Sequence, residues 1–508
     1  MGLSIRLSDI IRTDNQNRKG AFMMKRCTPE AVGCPSEAVL RFYRRLEEYR
    51  LSTHSVILAR GERVFSESYF APFDADTKHR MYSVSKTFVG VAVLFCIQDG
   101  LLTLDTPISE FFPYPSNDTV RSLLMMETTA VERGWWFTSE LEDRIDTCFG
   151  QAEQKLPLTQ FNYDSQGSYL LGVIVEKLTG RPFLSYLQEK VLKDIGFSQD
   201  AYCLKARGGY SFGDSGVMCT PRDLLRFARF LMDGGRVEGK QYLREELVRQ
   251  MLDCRTVTDD YGFATSDSYG YGWQIWGAPR GGFAMLGMGG QLAVCFPRED
   301  AVLILNSDNQ GNPCYRDQVY GALLELLDSL HEKPLSENSD AANALAAYEG
   351  SRKLFSLCGE TDSPIRRAID GKTFVCRDNP MGWRRFRLTF FEGAGRLEYE
   401  NANGCMAFSF GLGCNLFGLF PERGYSGMVA GAPMEGNRYR AAFSADWAEE
   451  RKLRIRVQII DSYFGNLAIT FGFVDAERVT VRMKKTAENF LDNYQGILIA
   501  ETAGKQER

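Results

Sequence analysis

Apolar residues recur at helical spacing through SEAVLRFYRRLEEYR, at Val39, Leu40, Phe42, Tyr43, Leu46 and Tyr49, and predict an amphipathic helix opening at a Ser36 cap. The next run, HSVILARGERVFSESYF, reads as two strands joined by a tight turn at Arg60-Gly61. From Ser83 to Gly100 the polar face disappears. Phe88, Val89, Val91, Val93, Leu94, Phe95 and Ile97 surround the axis, which predicts a helix buried on most sides with Gly100 as its C-cap. Later helices are well punctuated: SYLLGVIVEKLTG stops at Gly180, Pro182 suits the first turn of the next, and Thr220, Pro221 and Asp223 start one that ends before Gly234.

Between Tyr269 and Ser307 the pattern changes to short strands, YGWQIWG, FAMLG, QLAVCFP and AVLILNS, expected to pair antiparallel. A helix from Tyr315 to His331 follows. Beyond it, period-two alternation takes over at Leu397 and Tyr399, Leu453 to Ile459, Leu467 to Phe471, and Val479 to Met483, which predicts a separate sandwich or barrel. The expected organisation is a mobile tail at 1–20, a main α/β (α+β) domain at 21–335, a polar linker at 336–350 and a β-rich domain at 351–508.

Composition narrows the function classes. A net charge of -5, from 60 basic and 65 acidic residues mixed along the chain, offers no field for nucleic acid or an anionic membrane. No apolar stretch is long enough to span a bilayer, so no membrane span is expected. Thirteen cysteines without a CxxC pair point to a reducing cytoplasm, and three histidines without HExxH leave little material for a metal site. Neither metal nor cofactor is expected.

The tetrad Ser83-Val84-Ser85-Lys86 opens the buried helix. Residues three apart share a helix face, so a Ser83 hydroxyl and a Lys86 amine can meet, whereas Ser85 is rotated roughly 160° away. Ser83 is therefore the better nucleophile, and a helix N-terminus adds positive potential where an oxyanion would form.

The segment Arg80–Pro113, RMYSVSKTFVGVAVLFCIQDGLLTLDTPISEFFP, resembles the nucleophile region of class C β-lactamases and their esterase and D-aminopeptidase relatives. FNYDSQGSYLLGVIVEKLTG is similar to their second motif, GDSGVMCTPRDLLRFARFLMDGG to their connecting helix, and YGYGWQIW through GMGGQLAVCFPREDAVLILNS to their final strands. The resemblance implies a DD-peptidase/β-lactamase-like domain, an antiparallel sheet flanked by helices with an all-α region, and a lipocalin-like or other small barrel after it. It also implies that Tyr163 shares a proton network with Ser83 and Lys86, and that the Ser83 and Gln291 N–H groups form an oxyanion hole beside Gly289 and Gly290. Whether Lys86 or Tyr163 is the acylation base stays open.

Two positions depart from the family. Tyrosine-x-asparagine is here Tyr163-Asp164-Ser165, and the third motif, lysine-threonine-glycine or histidine-x-glycine, is the uncharged Met288-Gly289-Gly290. Loss of a cation worth about 1.5–3 kcal/mol to a carboxylate argues against penicillin as substrate. Trp136, with Trp135, is a candidate for an apolar acyl or leaving-group pocket. Three decoys are set aside: Ser211 in a G-x-S-x-G without strand and helix flanks, Ser307-Asp308-Asn309 as a turn after the last strand, and His79 as a structural loop residue. The expected partner is a small ester or amide, hydrolysed or transferred to an amine or alcohol from the same acyl-enzyme; a non-catalytic ligand-binding relative is the remaining alternative. The terminal β domain is expected either to wall the active-site entrance or to mediate a homodimer.

Overall fold

A computed structural model describes residues 24–128, 143–150, 160–258, 267–422, 438–487, 491 and 493–503; the expected tail at 1–20 lies outside them. The first sheet contains β1 (Lys25–Arg26), β2 (Thr53–Arg60), β3 (Arg63–Tyr69), β4 (Trp276–Ala278), β5 (Gly282–Gly287), β6 (Gln291–Phe296) and β7 (Ala301–Ser307), in the spatial order β1-β3-β2-β7-β6-β5-β4. From β3 to β4 every pairing is antiparallel. Both faces are covered, so the central strands carry apolar residues on both sides. Ile57, Ala59, Val302 and Ile304 join one core, while Val56, Leu58, Leu303 and Leu305 join the other.

The second of these cores is closed by α1 (Ser36–Glu48), and the first encloses α2 (Ser85–Gln98), α3 (Ser165–Thr179) and α4 (Pro221–Met232). Helix α2 is buried from Ser85 to Cys96, as its all-round apolarity requires. Phe88 stacks on Phe227 of α4 with centroids 3.8 Å apart. Helices α5 (Tyr315–Asp328) and α6 (Ser339–Gly350) add to the α1 side. Within the segment 336–350, expected as a polar linker, the chain forms helix α6. Asn338 caps it by accepting from the Ala341 N–H at 3.2 Å, and Leu345 is its one buried residue, so there was no apolar stripe to read. The expected strand YGWQIWG also shortens, to Trp276–Ala278.

The C-terminal domain is a barrel. Its strands are β8 (Thr373–Cys376), β9 (Arg385–Phe391), β10 (Ala394–Asn401), β11 (Gly404–Leu412), β12 (Leu416–Leu419), β13 (Arg440–Glu449), β14 (Lys452–Ile460), β15 (Phe464–Phe473), β16 (Arg478–Thr486) and β17 (Gly496–Thr502). They run β11-β10-β9-β8-β17-β16-β15-β14-β13-β12, and a parallel pairing of β11 with β13 closes nine of them into a ring, leaving β12 outside. The alternating residues read from the sequence, Leu453 to Ile459, Leu467 to Phe471 and Val479 to Met483, are the buried ones. Aromatic side chains fill the interior, among them Phe374, Phe386, Phe410, Trp447 and Phe471.

The turn between β14 and β15 docks on the first domain. Phe464 joins Phe73, Tyr82, Leu354 and Ile460 in one apolar cluster and sits against the rings of His54 and His79. Both imidazoles are buried, and His54 Nδ1 and His79 Nε2 have no hydrogen-bond partner among the described residues. Burial holds His54 well below its ordinary value and brings His79 down from 6.5 to about 4.

A histidine depressed in this way lends stability above its unfolded pKa and withdraws it as the pH falls through the folded one. Asp308, nearby at the same junction, has the opposite sign: burial lifts its carboxyl from 3.8 to about 6, so its contribution is complete in acid and lost as the pH rises. Comparing wild type with His79→Phe isolates the histidine. Between pH 6.5 and 4 the wild-type melting temperature should fall more steeply than the variant's; parallel curves would contradict this.

Candidate active site

Ser83 lies in a short 3₁₀ turn, Tyr82–Val84, that runs directly into α2. The turn packs against β5 so closely that a Cβ on Gly287 would come within 2.4 Å of the Met81 carbonyl oxygen, so only glycine fits there. One helical turn on, Lys86 is 2 % exposed and donates from Nζ to Ser83 Oγ at 3.0 Å and to the Asp214 carbonyl at 2.9 Å. Ser85 faces away, accepting from the Val217 N–H at 3.0 Å.

Tyr163 arrives from the entry to α3. Asp164 caps that helix by accepting from the Gly167 N–H at 3.0 Å, and the preceding loop is pinned by the Asn162 N–H to the Met126 carbonyl at 2.8 Å. These bonds place the Tyr163 ring 5.1 Å from Lys86 Nζ and against Trp276, and its phenol is hydrogen-bonded to Ser83. Burial pushes that phenol well above its ordinary range, with the Ser83 bond pulling the other way, so Tyr163 is neutral at physiological pH.

Beneath Lys86 lies a buried ion pair. Arg144 grips Asp214 with two bonds, 2.7 and 3.0 Å, at 0 % and 3 % side-chain exposure, and its guanidinium lies over the rings of Tyr169 and Phe212. The pair fixes the segment whose carbonyl receives Lys86.

The cavity at Ser83 measures about 460 Å³ and is lined by Tyr163, Trp276, Leu286, Met288, Tyr315 and Arg316, among others. The barrel contributes Thr486 and Ala487 to its wall. Met288 also packs against the apolar cluster of Ile460 and Phe464, which explains its lack of charge: a lysine there would lie against barrel hydrocarbon. Among the lining residues the cation is instead Arg316 on α5, bonded through both Nη atoms to Asp267. Asp267 is 1 % exposed and Arg316 22 %, so the arginine is the more accessible member of the pair.

Ser83, Lys86, Tyr163, Met288 and Gly289 thus converge. Gly290 adjoins the cavity lining, held at φ 101° with a Cβ position only 2.1 Å from Ser307 Oγ. Gln291 is buried and outside the lining, its side chain donating to the Ser307 carbonyl at 2.6 Å and accepting from Asn306 at 2.9 Å. Ser165 begins α3, half-buried and outside the lining. Trp136 and Trp135 lie outside the described residues. Arg316, Asp267 and the support given by Ser307 were not anticipated. Asp267 and Arg316 are far apart in sequence and share no motif, whereas Ser307 belonged to a recognised motif and was read only as a turn. Among the described residues no cluster of three or more histidine, cysteine, aspartate or glutamate side chains is arranged to hold a metal ion.

A β-lactamase family model matches residues 41–326. The chain belongs to the β-lactamase family. It is 27% identical over 288 residues to 6-aminohexanoate-dimer hydrolase of Paenarthrobacter ureafaciens, covering 51% of this chain and 73% of that protein. It is 23% identical over 181 residues to protein flp of Staphylococcus aureus, covering 31% of this chain and 36% of that one. The fold is shared with the solved structure of a putative 6-aminohexanoate-dimer hydrolase from Bacillus anthracis, at a TM-score of 0.50 and 18% identity over 65% of this chain and 88% of that one.

In this β-lactamase-family site the Arg144–Asp214 pair is the structural support most exposed to test. Arg144→Leu would leave a buried carboxylate unpaired and should lower unfolding free energy by about 3–5 kcal/mol in urea titration. A loss under about 1 kcal/mol, as for a surface pair, would contradict the burial argument.

Proposed function

We propose that this protein is a serine hydrolase that cleaves an ester or small amide through a covalent acyl-enzyme on Ser83. The observation that carries the reading is the 3.0 Å bond between Lys86 Nζ and Ser83 Oγ at the wall of the cavity. Ser83 Oγ attacks the carbonyl carbon while Lys86, in its neutral form, takes the hydroxyl proton. The Ser83 and Gln291 N–H groups receive the oxyanion of the tetrahedral intermediate. As the intermediate collapses, the proton passes to the leaving group through Tyr163, whose neutral phenol can both give and accept one. Water then attacks the acyl carbon, giving up a proton to the same pair, and as the bond from the acyl carbon to Ser83 Oγ breaks the pair returns a proton to Oγ, releasing the acid. A relative named as a hydrolase of the 6-aminohexanoate dimer fits this chemistry. Thirteen free cysteines fit a reducing cytoplasm.

Arg316 refines the substrate. The walls supplied by Trp276, Leu286, Met288 and Ala487 favour an apolar chain, and the guanidinium favours a carboxylate carried on it. With Met288 in the third motif, the anion is bound from α5 and not from the strand beside Ser83.

Two measurements check the reading. Nitrophenyl esters should be turned over and a fluorophosphonate should inactivate the enzyme, with Ser83→Ala and Lys86→Ala each lowering kcat by at least about 10³-fold. Unchanged turnover in Ser83→Ala would overturn it. The paired replacement Arg316→Gln/Asp267→Asn, which avoids stranding a buried carboxylate, should raise KM for a carboxylate-bearing ester about ten-fold or more and leave a neutral ester within about two-fold. Equal effects on both esters would remove Arg316 from recognition.

A further inference from the structure

The barrel does more than wall the cavity, because it is bonded to two pieces of backbone that reach it, the turn that carries Ser83 and the turn that carries Met288 and Gly289. The first piece is the nucleophile turn. Tyr82, immediately before Ser83, has φ 46°, a left-handed conformation that a bulky side chain adopts only under outside constraint. Its ring is 2 % exposed, and its phenol oxygen accepts from the Phe464 N–H of β15 at 2.9 Å. Arg80 lies over this ring at 4.4 Å and over the ring of Tyr463 at 4.3 Å, so the segment before Ser83 is gripped from the barrel side at two places.

The second piece is the Met288–Gln291 turn. Ser307 Oγ donates toward the carbonyls of Gly289 at 2.8 Å and Gly290 at 3.1 Å, and the Asn309 N–H donates to the Gly289 carbonyl at 2.8 Å. The Ser307–Asn309 segment is tied to the barrel in turn. Asn466 Nδ2 donates to Asp308 Oδ2 at 2.5 Å, and Gln310 Nε2 donates both to Asp308 Oδ1 at 2.9 Å and to the Phe464 carbonyl at 3.0 Å. Ser52 adds a further tie, donating from N to Asn309 Oδ1 at 2.7 Å and from Oγ to Gln458 Oε1 of β14 at 2.8 Å. One barrel residue, Phe464, therefore bonds through its N–H toward the Ser83 side and through its carbonyl toward the Gln291 side.

We infer that the start of β15 sets the spacing of the two oxyanion donors, with Phe464, Asn466, Tyr82 and Asp308 as positioning residues. The inference rests on the acyl-enzyme reading above. The two N–H groups belong to different elements, a helix-entry turn and a strand-entry turn, and a rigid third body bonded to both keeps their separation fixed. Donors aimed at developing charge act on the transition state, so loosening them lowers kcat and leaves ground-state binding nearly unchanged. Removal of one donor outright costs about 10²–10³ in kcat, and loss of one support should cost less, about ten-fold.

The test uses the full-length protein with Tyr82→Phe, which deletes one oxygen and keeps the ring, and Asn466→Ala, with active-site titration to count competent molecules. Each is assayed on an aryl ester and on the matching thionoester, whose larger, weakly accepting sulfur fits a tight oxyanion site poorly. Expected are a fall in kcat per active site of about ten-fold, KM within about two-fold, and a reduced preference for ester over thionoester. A merely structural role would lower the active fraction or melting temperature and leave the ester-to-thionoester ratio at its wild-type value. That result in both variants, with turnover still dependent on Ser83, overturns this inference alone. Absence of Ser83-dependent turnover in the wild type overturns the acyl-enzyme reading and this inference with it. If Tyr82→Phe fails to fold, Asn466→Ala decides.

Discussion

A lysine amine kept out of water beside a serine hydroxyl is the constraint from which the rest of this structure follows. Burying such a group is unfavourable unless its donors are satisfied, and Lys86 spends them on Ser83 Oγ and the Asp214 carbonyl. The carbonyl must then be immobile, which the Arg144–Asp214 pair ensures from a site that is itself dry. The surrounding helix must be apolar on nearly all sides, which is why α2 has no polar face. Tyr163 completes the arrangement from an independent element, the capped entry to α3, so three side chains from two helix starts meet at one hydroxyl.

The second theme is that the barrel and the catalytic domain form one chemical unit. Ile460 and Phe464 of the barrel join Phe73, Tyr82 and Leu354 in one apolar cluster, and Met288 packs against that cluster. Among the described residues that line the cavity the cation is Arg316 on α5, steadied by a buried carboxylate. Two buried histidines and Asp308 lie near the same junction, where their shifted titrations act on stability with opposite signs.

Much of this was legible in the sequence wherever the signal was local. The buried helix, the hairpin at Gly61, the Thr220 cap, the alternating barrel strands and the Ser83–Lys86 spacing are short-range patterns, and they appear as read. Helix α6 was taken for a linker because its one buried residue leaves no stripe, and its stability comes from a cap and from packing against α1. Arg316 with Asp267, and Ser307 with Gly289 and Gly290, depend on contacts between residues remote in sequence, which no periodicity encodes. The setting of Met288 is hidden for the same reason: the apolar cluster it packs against draws Ile460 and Phe464 from another domain. Absence of charge at that position could be seen, whereas the hydrocarbon that accounts for it could not.

The central claim is that the acyl group resides on Ser83. Rapid acid quenching during turnover of a slowly deacylated ester, followed by digestion and mass measurement, locates it. The account predicts an acyl mass increment on the peptide containing Ser83 and on no other, present only while substrate is being consumed. Turnover with no covalent increment, or an increment on a different residue, would contradict it.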